Sequence, residues 1–313
     1  VHEFIIKRLL LAIPTLLAVM TIVFFSMHLA PGDPVDQMIP PDMEGAAREE
    51  RVEQIRAQYG LDQPLHIQFA AYVGRILRLD FGQSLRHRRS IAGDLRSRIP
   101  NTLQLGILAL IISVLIGVGF GIVSAIRRDT ILDNLTTFGA LFGVSMPNFF
   151  FGFVLMLLFG LYLGWLPPSG FGGSILGWEG FRYAIMPAVT LGTAASGVLA
   201  RFTRSSMLDV INEDYIRTAR SKGLAERVVI FRHALRNALI PVITLLGIQF
   251  GAMLSGSVIT EMVFSWPGVG RYLIQGIQTR DFPVVQGTTL IIAIGFVTAN
   301  FLTDLAYGFI DPR

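Results

Sequence analysis

TLQLGILALIISVLIGVGFGIVSAI, residues Thr102 to Ile126, carries no charged side chain and stops at Arg127-Arg128-Asp129. A helix rises about 1.5 Å per residue, so about 20 apolar residues cross the roughly 30 Å hydrocarbon core of a bilayer. The run therefore reads as a membrane span. It holds Gly106, Gly117, Gly119 and Gly121, which weaken a helix in water but let a neighbouring helix come close in lipid. A chance placement against lipid is an equally open reading of the four.

Similar runs lie on both sides. Leu9 to Ala30 follows Lys7-Arg8 and is also uncharged. Its apolar core is too long for a secretory signal, and no small-x-small cleavage site follows it, so it reads as a first span. Asn134 to Trp178 is uncharged for 45 residues. Leu135 to Leu163 reads as a span, and GWLPPSG (Gly164 to Gly170) as an interfacial turn. Tyr183 to Ala200, Ala238 to Thr260 and Phe282 to Thr303 complete a set of six. Apolar residues run on without alternating, which argues against a membrane barrel. The 313 residues are 52% hydrophobic and 15% charged, with mean hydropathy +0.57; soluble domains carry about 25% charged residues. The expected fold is an all-α polytopic membrane protein.

Short basic segments set the orientation. Lys7-Arg8, Arg127-Arg128 and the Arg201 to Arg236 connection fall on one side if both ends of the chain are cytoplasmic, as the positive-inside rule asks. Pro31 to Pro100 then lies outside, with ten Arg balanced by ten Asp and Glu. Long loops translocate regardless of charge. A helix is predicted from about Asp42 to Tyr59, ended by Gly60, and a second over Ile67 to Leu79. Ile55, Leu61, Leu65, Phe69, Tyr72, Ile76 and Leu79 give this cap apolar material to pack. The expected organisation is residues 1–30, a first span; 31–100, an extracytoplasmic cap; and 101–313, a five-helix core with a cytoplasmic loop at 201–236.

Enzyme chemistry is not visible. There is no Cys, and the five His show no metal-ligand spacing. The sequence has no GxxxxGK[ST] phosphate loop and no HExxH. LRHRR (Leu85 to Arg89) belongs to no nucleic-acid module. The uncharged runs contain no ionisable group of the kind proton-coupled carriers use, though Glu261 and Asp304 stand at span ends. Ser257 has no evident base for hydrolysis. A pore driven from elsewhere, a secondary carrier or channel, and a scaffold remain as readings.

DVINEDYIRTARSKGLAERVVIFRHALR, Asp209 to Arg236, is the most informative polar stretch. Asn212 or Glu213 starts a short basic helix through Tyr215 to Lys222, and Gly223 stops it. Ile216 and Ala219 share one face, with Arg217 and Arg220 beside it. A second helix is predicted from Ala225 to Leu235. A helix lying on the membrane and one docking into another protein are both open on these residues.

The stretch resembles the ATPase-docking loop of ABC-importer permeases. It is especially similar to the first permease subunit of bacterial dipeptide, oligopeptide, glutathione and nickel importers. Aligned on Gly223, Arg217-Thr218-Ala219-Arg220-Ser221-Lys222-Gly223 replaces the general Glu-Ala-Ala-x-x-x-Gly and fits the Arg-Thr-Ala-Arg-x-Lys-Gly of the peptide branch. LAPGDP (Leu29 to Pro34), YGLDQPL (Tyr59 to Leu65), DFGQS (Asp80 to Ser84) and ARFTRSSMLDV (Ala200 to Val210) resemble the family in the same order. So do RHALRNALIPV (Arg232 to Val242), FSWPGVGR (Phe264 to Arg271), RDFPVVQG (Arg280 to Gly287) and the closing DPR.

The resemblance implies a type I importer permease fold and a non-catalytic half-pore in the bacterial inner membrane. Its partners would be a second homologous permease, two ATP-binding subunits, an extracytoplasmic solute-binding protein and membrane lipid, with no nucleic acid. ATP and Mg²⁺ would belong to the partners, and this chain would bind no cofactor or metal. Tyr215, Arg217, Thr218, Ala219, Arg220, Lys222, Gly223 and Leu224 would form the ATPase-coupling element. The cap, with the Phe264 to Asp281 loop, would meet the solute-binding protein. Polarity nominates Ser145, Asn148, Thr190, Thr193, Ser196, Ser255 and Ser257 for the substrate pathway, against the alternative that these groups bond to their own helices. The cargo would be a dipeptide, oligopeptide or glutathione-like molecule, or a nickel chelate.

Overall fold

The computed structural model describes residues 2–29, 35, 39 and 43–310. Most of LAPGDP, the predicted helix start at Asp42 and the closing DPR lie outside them. The described chain is helical. The elements are α1 (His2–Leu29), α2 (Ala46–Tyr59), α3 (Leu65–Leu77), α4 (Ile91–Ile126), α5 (Ile131–Ser145), α6 (Asn148–Leu155), α7 (Trp178–Ile211), α8 (Asp214–Ser221), α9 (Glu226–Val228), α10 (Leu235–Val263), α11 (Val269–Gln278) and α12 (Phe282–Ile310).

Among the described residues, five helices are long and apolar enough to span a membrane, and α5 with α6 makes a sixth if that bent pair is one span. The third predicted span falls on this pair, which is bent by 104°. Its break is at Met146-Pro147. A residue before proline is pushed out of the α region, and Met146 is extended at φ −83°, ψ 128°. Beyond α6 the chain widens into a π-helical stretch, Met156–Tyr162.

The helices outrun the uncharged runs that revealed them. α7 is 34 residues long, so the Tyr183 to Ala200 run is only the apolar middle of its helix. α4 begins at Ile91, inside the stretch assigned to the cap. The predicted helix over Ala225 to Leu235 is not a separate element. α9 passes through a π-helical segment, Val229–Ala234, directly into α10.

The chain forms two compact units. One is built from Asn101–Pro267 and Gly295–Arg313. Here α4 and α7 meet through small residues. A Cβ on Gly117 would stand 2.8 Å from the Ser196 carbonyl oxygen, and one on Gly121 would stand 2.7 Å from that of Ala200. Gly119, on the other side of α4, faces open space. The open question about these glycines thus resolves residue by residue. Trp266 is fully buried with Leu105, Ala109, Ala184 and Met253. Its indole N–H donates to the Asn101 carbonyl at 3.0 Å, and the Asn101 amide donates to the Pro267 carbonyl at 3.0 Å.

The other unit is built from His2–Pro100 and Gly268–Ile294. Gly60 ends α2 in the left-handed conformation, as expected of a C-terminal glycine. Met20 and Phe24 of α1 pack on Tyr72 of α3 and Leu290 of α12. Ile91 and Leu95 pack on Val269, Tyr272 and Val284. Asp281 is buried, accepting a hydrogen bond from the Ser84 hydroxyl at 2.5 Å. The Tyr272 hydroxyl donates to Asp94 at 3.0 Å. Burial, then that bond, pushes the Tyr272 phenol above its ordinary range.

Candidate functional site

The segment expected to meet an ATPase is a seated helix with an exposed outer face. Glu213 precedes α8 in an extended conformation, and Asp214 opens the first turn, where a negative charge suits the helix dipole. Ile216 is fully buried and Ala219 nearly so. They sit in one apolar cluster with Ala125 of α4, Met207 of α7, and Val229, Ala234 and Ala238 on the path into α10. The ends of three long helices thus form the seat of a two-turn helix.

The rest of the segment faces outward. Tyr215, Arg217, Thr218, Lys222, Gly223 and Leu224 are all exposed. The Tyr215 hydroxyl accepts from the Asn237 amide at 2.7 Å. Arg217 reaches Asp214 at 3.4 Å, and the Thr218 hydroxyl bonds back to the Asp214 carbonyl at 3.0 Å. Arg220 clasps Glu226 with two nitrogens, at 2.7 and 3.2 Å. That hydrogen-bonded carboxylate holds the Arg220 guanidinium above its ordinary range. Gly223 has φ +76°, and a Cβ there would meet nothing within 4 Å. The position calls for glycine because of backbone conformation, not space.

The nominated pathway residues fall on four helices, α5, α6, α7 and α10. Ser145 and Asn148 flank the bend between α5 and α6. Thr193 is half-buried, and its carbonyl accepts from the Ser196 hydroxyl at 2.7 Å. Thr190, Ser196 and Ser257 are buried. Thr190 bonds to the Met186 carbonyl at 2.9 Å and Ser255 to that of Ala252 at 3.0 Å. For Thr190, Ser196 and Ser255 the own-helix alternative describes this conformation.

Ser257 does have a carboxylate beside it. Its Oγ lies 3.1 Å from Glu261 Oε1 and 3.2 Å from the Leu254 carbonyl. Glu261 is fully buried and also accepts from Thr102 of α4 at 2.7 Å. The i, i+4 spacing of Ser257 and Glu261 was the available sequence signal. Placing the span end before Glu261 hid it.

Asp133 was missed in the same way. It sits in the first turn of α5, buried, and pairs with Arg204 of α7. The Phe264 to Asp281 segment also departs from expectation, because it is no open loop. Phe264 is buried with Leu155 and Met186, Trp266 is buried, and Val269–Gln278 is the helix α11.

Comparison with known proteins extends this geometry. Residues 117–313 match the family described as the binding-protein-dependent transport system inner membrane component, and residues 1–106 match the N-terminal family of such membrane components. The chain is 43% identical over 310 residues to the glutathione transport system permease protein GsiC of Salmonella paratyphi A, a match covering 99% of this chain and 98% of that protein. The protein of the same name from Escherichia coli strain K12 is 41% identical over the same length, with the same coverage. An inward-facing MetNI methionine ABC transporter superposes with TM-score 0.55 at 16% identity, covering 69% of this chain and 96% of that one. An amino acid ABC transporter gives 0.53 at 20% identity, over 69% and 94%. At these identities the two structures speak for the fold alone.

Proposed function

The chain belongs to the binding-protein-dependent inner-membrane components of transport systems, and from that premise we propose that it forms half the pathway of an ATP-driven importer of short peptides of the glutathione kind. As a permease subunit of an ABC importer it is a non-catalytic, multi-pass inner-membrane protein. The observation that carries the finer reading is the seating of α8. A partner that moves α8 moves Ile216 and Ala219, and through them the ends of α4, α7 and α10. The exposed Tyr215, Arg217, Lys222 and Leu224 offer the surface such a partner would grip.

The partners are those that membership of an ABC importer implies. They are a second, homologous permease, two ATP-binding subunits that hold ATP and Mg²⁺, and an extracytoplasmic binding protein that meets the cap. Both ends of the chain then lie in the cytoplasm with α8. ATP binding draws the two α8 helices together and opens the pathway outward, and hydrolysis resets it. The relatives named as glutathione permeases, similar along their whole length, favour a small γ-linked or ordinary peptide over a metal chelate.

The test is reconstitution of the complete transporter in liposomes. Replacing Tyr215 and Leu224 with Asp should uncouple ATP hydrolysis from uptake of radiolabelled glutathione or dipeptide while the chain still inserts. Unchanged, ATP-dependent uptake in that variant would remove α8 from the mechanism. Uptake by this chain alone, without ATP, would make it a carrier.

A further inference from the structure

The unit formed by His2–Pro100 and Gly268–Ile294 holds a cavity of about 410 Å³. Ligand pockets usually occupy about 300–1,000 Å³. Phe24 and His28 of α1, the start of α3, and Phe282 and Gln286 of α12 line it. Those α1 and α12 residues lie at the ends of two apolar spans, Ile6–Leu29 and Phe282–Leu305. The cavity is therefore at headgroup depth on the cap side of the bilayer.

The chemistry of its wall is one-sided. Among the described residues Arg75 is the charged side chain that lines it, and no Asp or Glu does. Arg75 makes no ion pair among the described residues. Both ring nitrogens of His28 face acceptors, Nδ1 the Phe24 carbonyl at 2.8 Å and Nε2 the Gln68 Oε1 at 3.2 Å. The Gln68 amide nitrogen is already donating to the Leu61 and Gln63 carbonyls. The His28 ring thus bridges α1 to Gln68 of α3. Asp281, beside Phe282 in sequence, is buried and engaged by Ser84.

Two further polar groups lack partners. The Tyr72 hydroxyl is buried with no hydrogen bond. Gln286 is 7% exposed, and its side chain makes no hydrogen bond among the described residues. Buried polar groups are nearly always paired, so each such exception asks for a partner. Phe24, Ile67, Leu85 and Phe282 make the remaining wall apolar.

We propose that the cavity is a binding site for an acidic phospholipid. Arg75 takes the anionic head, Gln286 meets the polar backbone of the lipid, and an acyl chain leaves past Phe24 along α1. Leu17 and Ile22 of α1 are exposed, at 44% and 64%, and give that chain apolar surface to follow. A cationic site at headgroup depth with an apolar floor fits an anionic lipid better than a zwitterionic one. The lipid would tie the first span to the cap, where Tyr72 already packs on Phe24.

The test uses the full chain in nanodiscs containing phosphatidylglycerol and phosphatidylcholine analogues, each with a photoactivatable acyl chain. Crosslinked peptides are then mapped by mass spectrometry. Phosphatidylglycerol should label peptides bearing Phe24 to His28 or Phe282 to Gln286 several-fold more than phosphatidylcholine. Ala71→Trp, which fills the cavity, should cut that labelling about tenfold. Arg75→Gln should abolish the preference while leaving the fold intact by circular dichroism. Equal labelling by the two lipids in the wild type, or none at these peptides, would overturn the proposal. So would a photo-reactive amino acid at Ile67 that captures another protein, and not lipid, in the assembled transporter.

Discussion

Arg204 holds Asp133 with two nitrogens, Nε to Oδ1 at 3.1 Å and Nη2 to Oδ2 at 2.9 Å, and so ties α7 to α5. The carboxylate also accepts from the Ser124 hydroxyl on α4 and from the Asp129 backbone N–H. The Asp133 side chain is 6% exposed and that of Arg204 is 32% exposed. Removing one member of such a pair leaves a buried charge and costs about 3–5 kcal/mol, whereas replacing both costs far less. Arg204→Leu should lower the melting temperature of the chain in detergent, and adding Asp133→Asn should recover most of the loss. Arg204→Lys should fall between, because an ammonium lacks the planar fork. Additive losses in the two single variants and the double would show that the residues do not act as a pair.

The contact between α4 and α7 makes a sharper contrast. Gly117→Ala and Gly121→Ala each place a methyl under 3 Å from a carbonyl on α7, so the helices must separate. Overpacking of this kind costs about 1–3 kcal/mol. Gly119→Ala meets nothing within 4 Å and should be neutral or stabilising, since alanine is the better helix former by up to about 1 kcal/mol. Thermal melts of the three variants in one detergent check the order. A Gly119 variant that melts lowest would exclude this packing.

Gly223 tests the proposed coupling role of α8 without touching its seat. At φ +76° a non-glycine residue pays about 1–2 kcal/mol, and asparagine pays less than alanine. ATPase stimulation by the binding protein should therefore fall in the order Gly223, Asn, Ala, Val, with membrane insertion unchanged. Full stimulation in Gly223→Val would mean that the turn after α8 carries no force.

The Tyr72 phenol gives a pH signature. Burial pushes it up to about 12 from an unfolded value near 10, so the fold favours the neutral form. Its contribution is present below about pH 10 and is lost as pH rises from there towards 12, at up to about 1.4 kcal/mol per unit. Tyr72→Phe removes an unpaired buried hydroxyl and should stabilise the lipid-free chain slightly, since an unsatisfied donor costs about 1–3 kcal/mol. It should also flatten the alkaline limb of melting temperature against pH between 9 and about 11. An unchanged limb would mean another group titrates there.

Much of this arrangement was legible because lipid imposes a coarse rule: a span must be apolar for about 20 residues. Five uncharged runs fall in helices long and apolar enough to span, and the short basic helix ended at Gly223 as its sequence asked. The missed features share a cause. A charge-free run marks the part of a helix in hydrocarbon, not the helix itself, so Asp133, Arg204 and Glu261 fell just outside the runs yet inside helices. Their partners are distant in sequence, as with Arg204 and Asp133, and hydropathy says nothing about them. The bend at Met146-Pro147 was signalled by Pro147 but was smoothed over by an unbroken apolar composition. The pathway residues were chosen by polarity alone, and a helix can satisfy a hydroxyl internally, as Thr190 and Ser196 show.

Glu261 separates two ways of powering transport. A carboxyl group buried within an apolar helix is by default a functional candidate, and proton-driven carriers use such groups. Here Thr102 donates to it across α4 and α10, and Ser257 stands beside it one turn earlier. That arrangement suits a structural acceptor, because it needs oxygen lone pairs and not a changing charge. Glu261→Gln keeps an acceptor oxygen for Thr102, so ATP-dependent uptake in liposomes should stay within about twofold of wild type. Glu261→Leu removes the buried carboxylate that accepts from Thr102 and should lower the melting temperature. Uptake by the wild type should also survive a proton uncoupler while ATP is supplied. If Glu261→Gln instead stops uptake while assembly and ATPase stimulation persist, the proton or charge on this carboxyl takes part in the cycle, and transport is not driven by ATP alone.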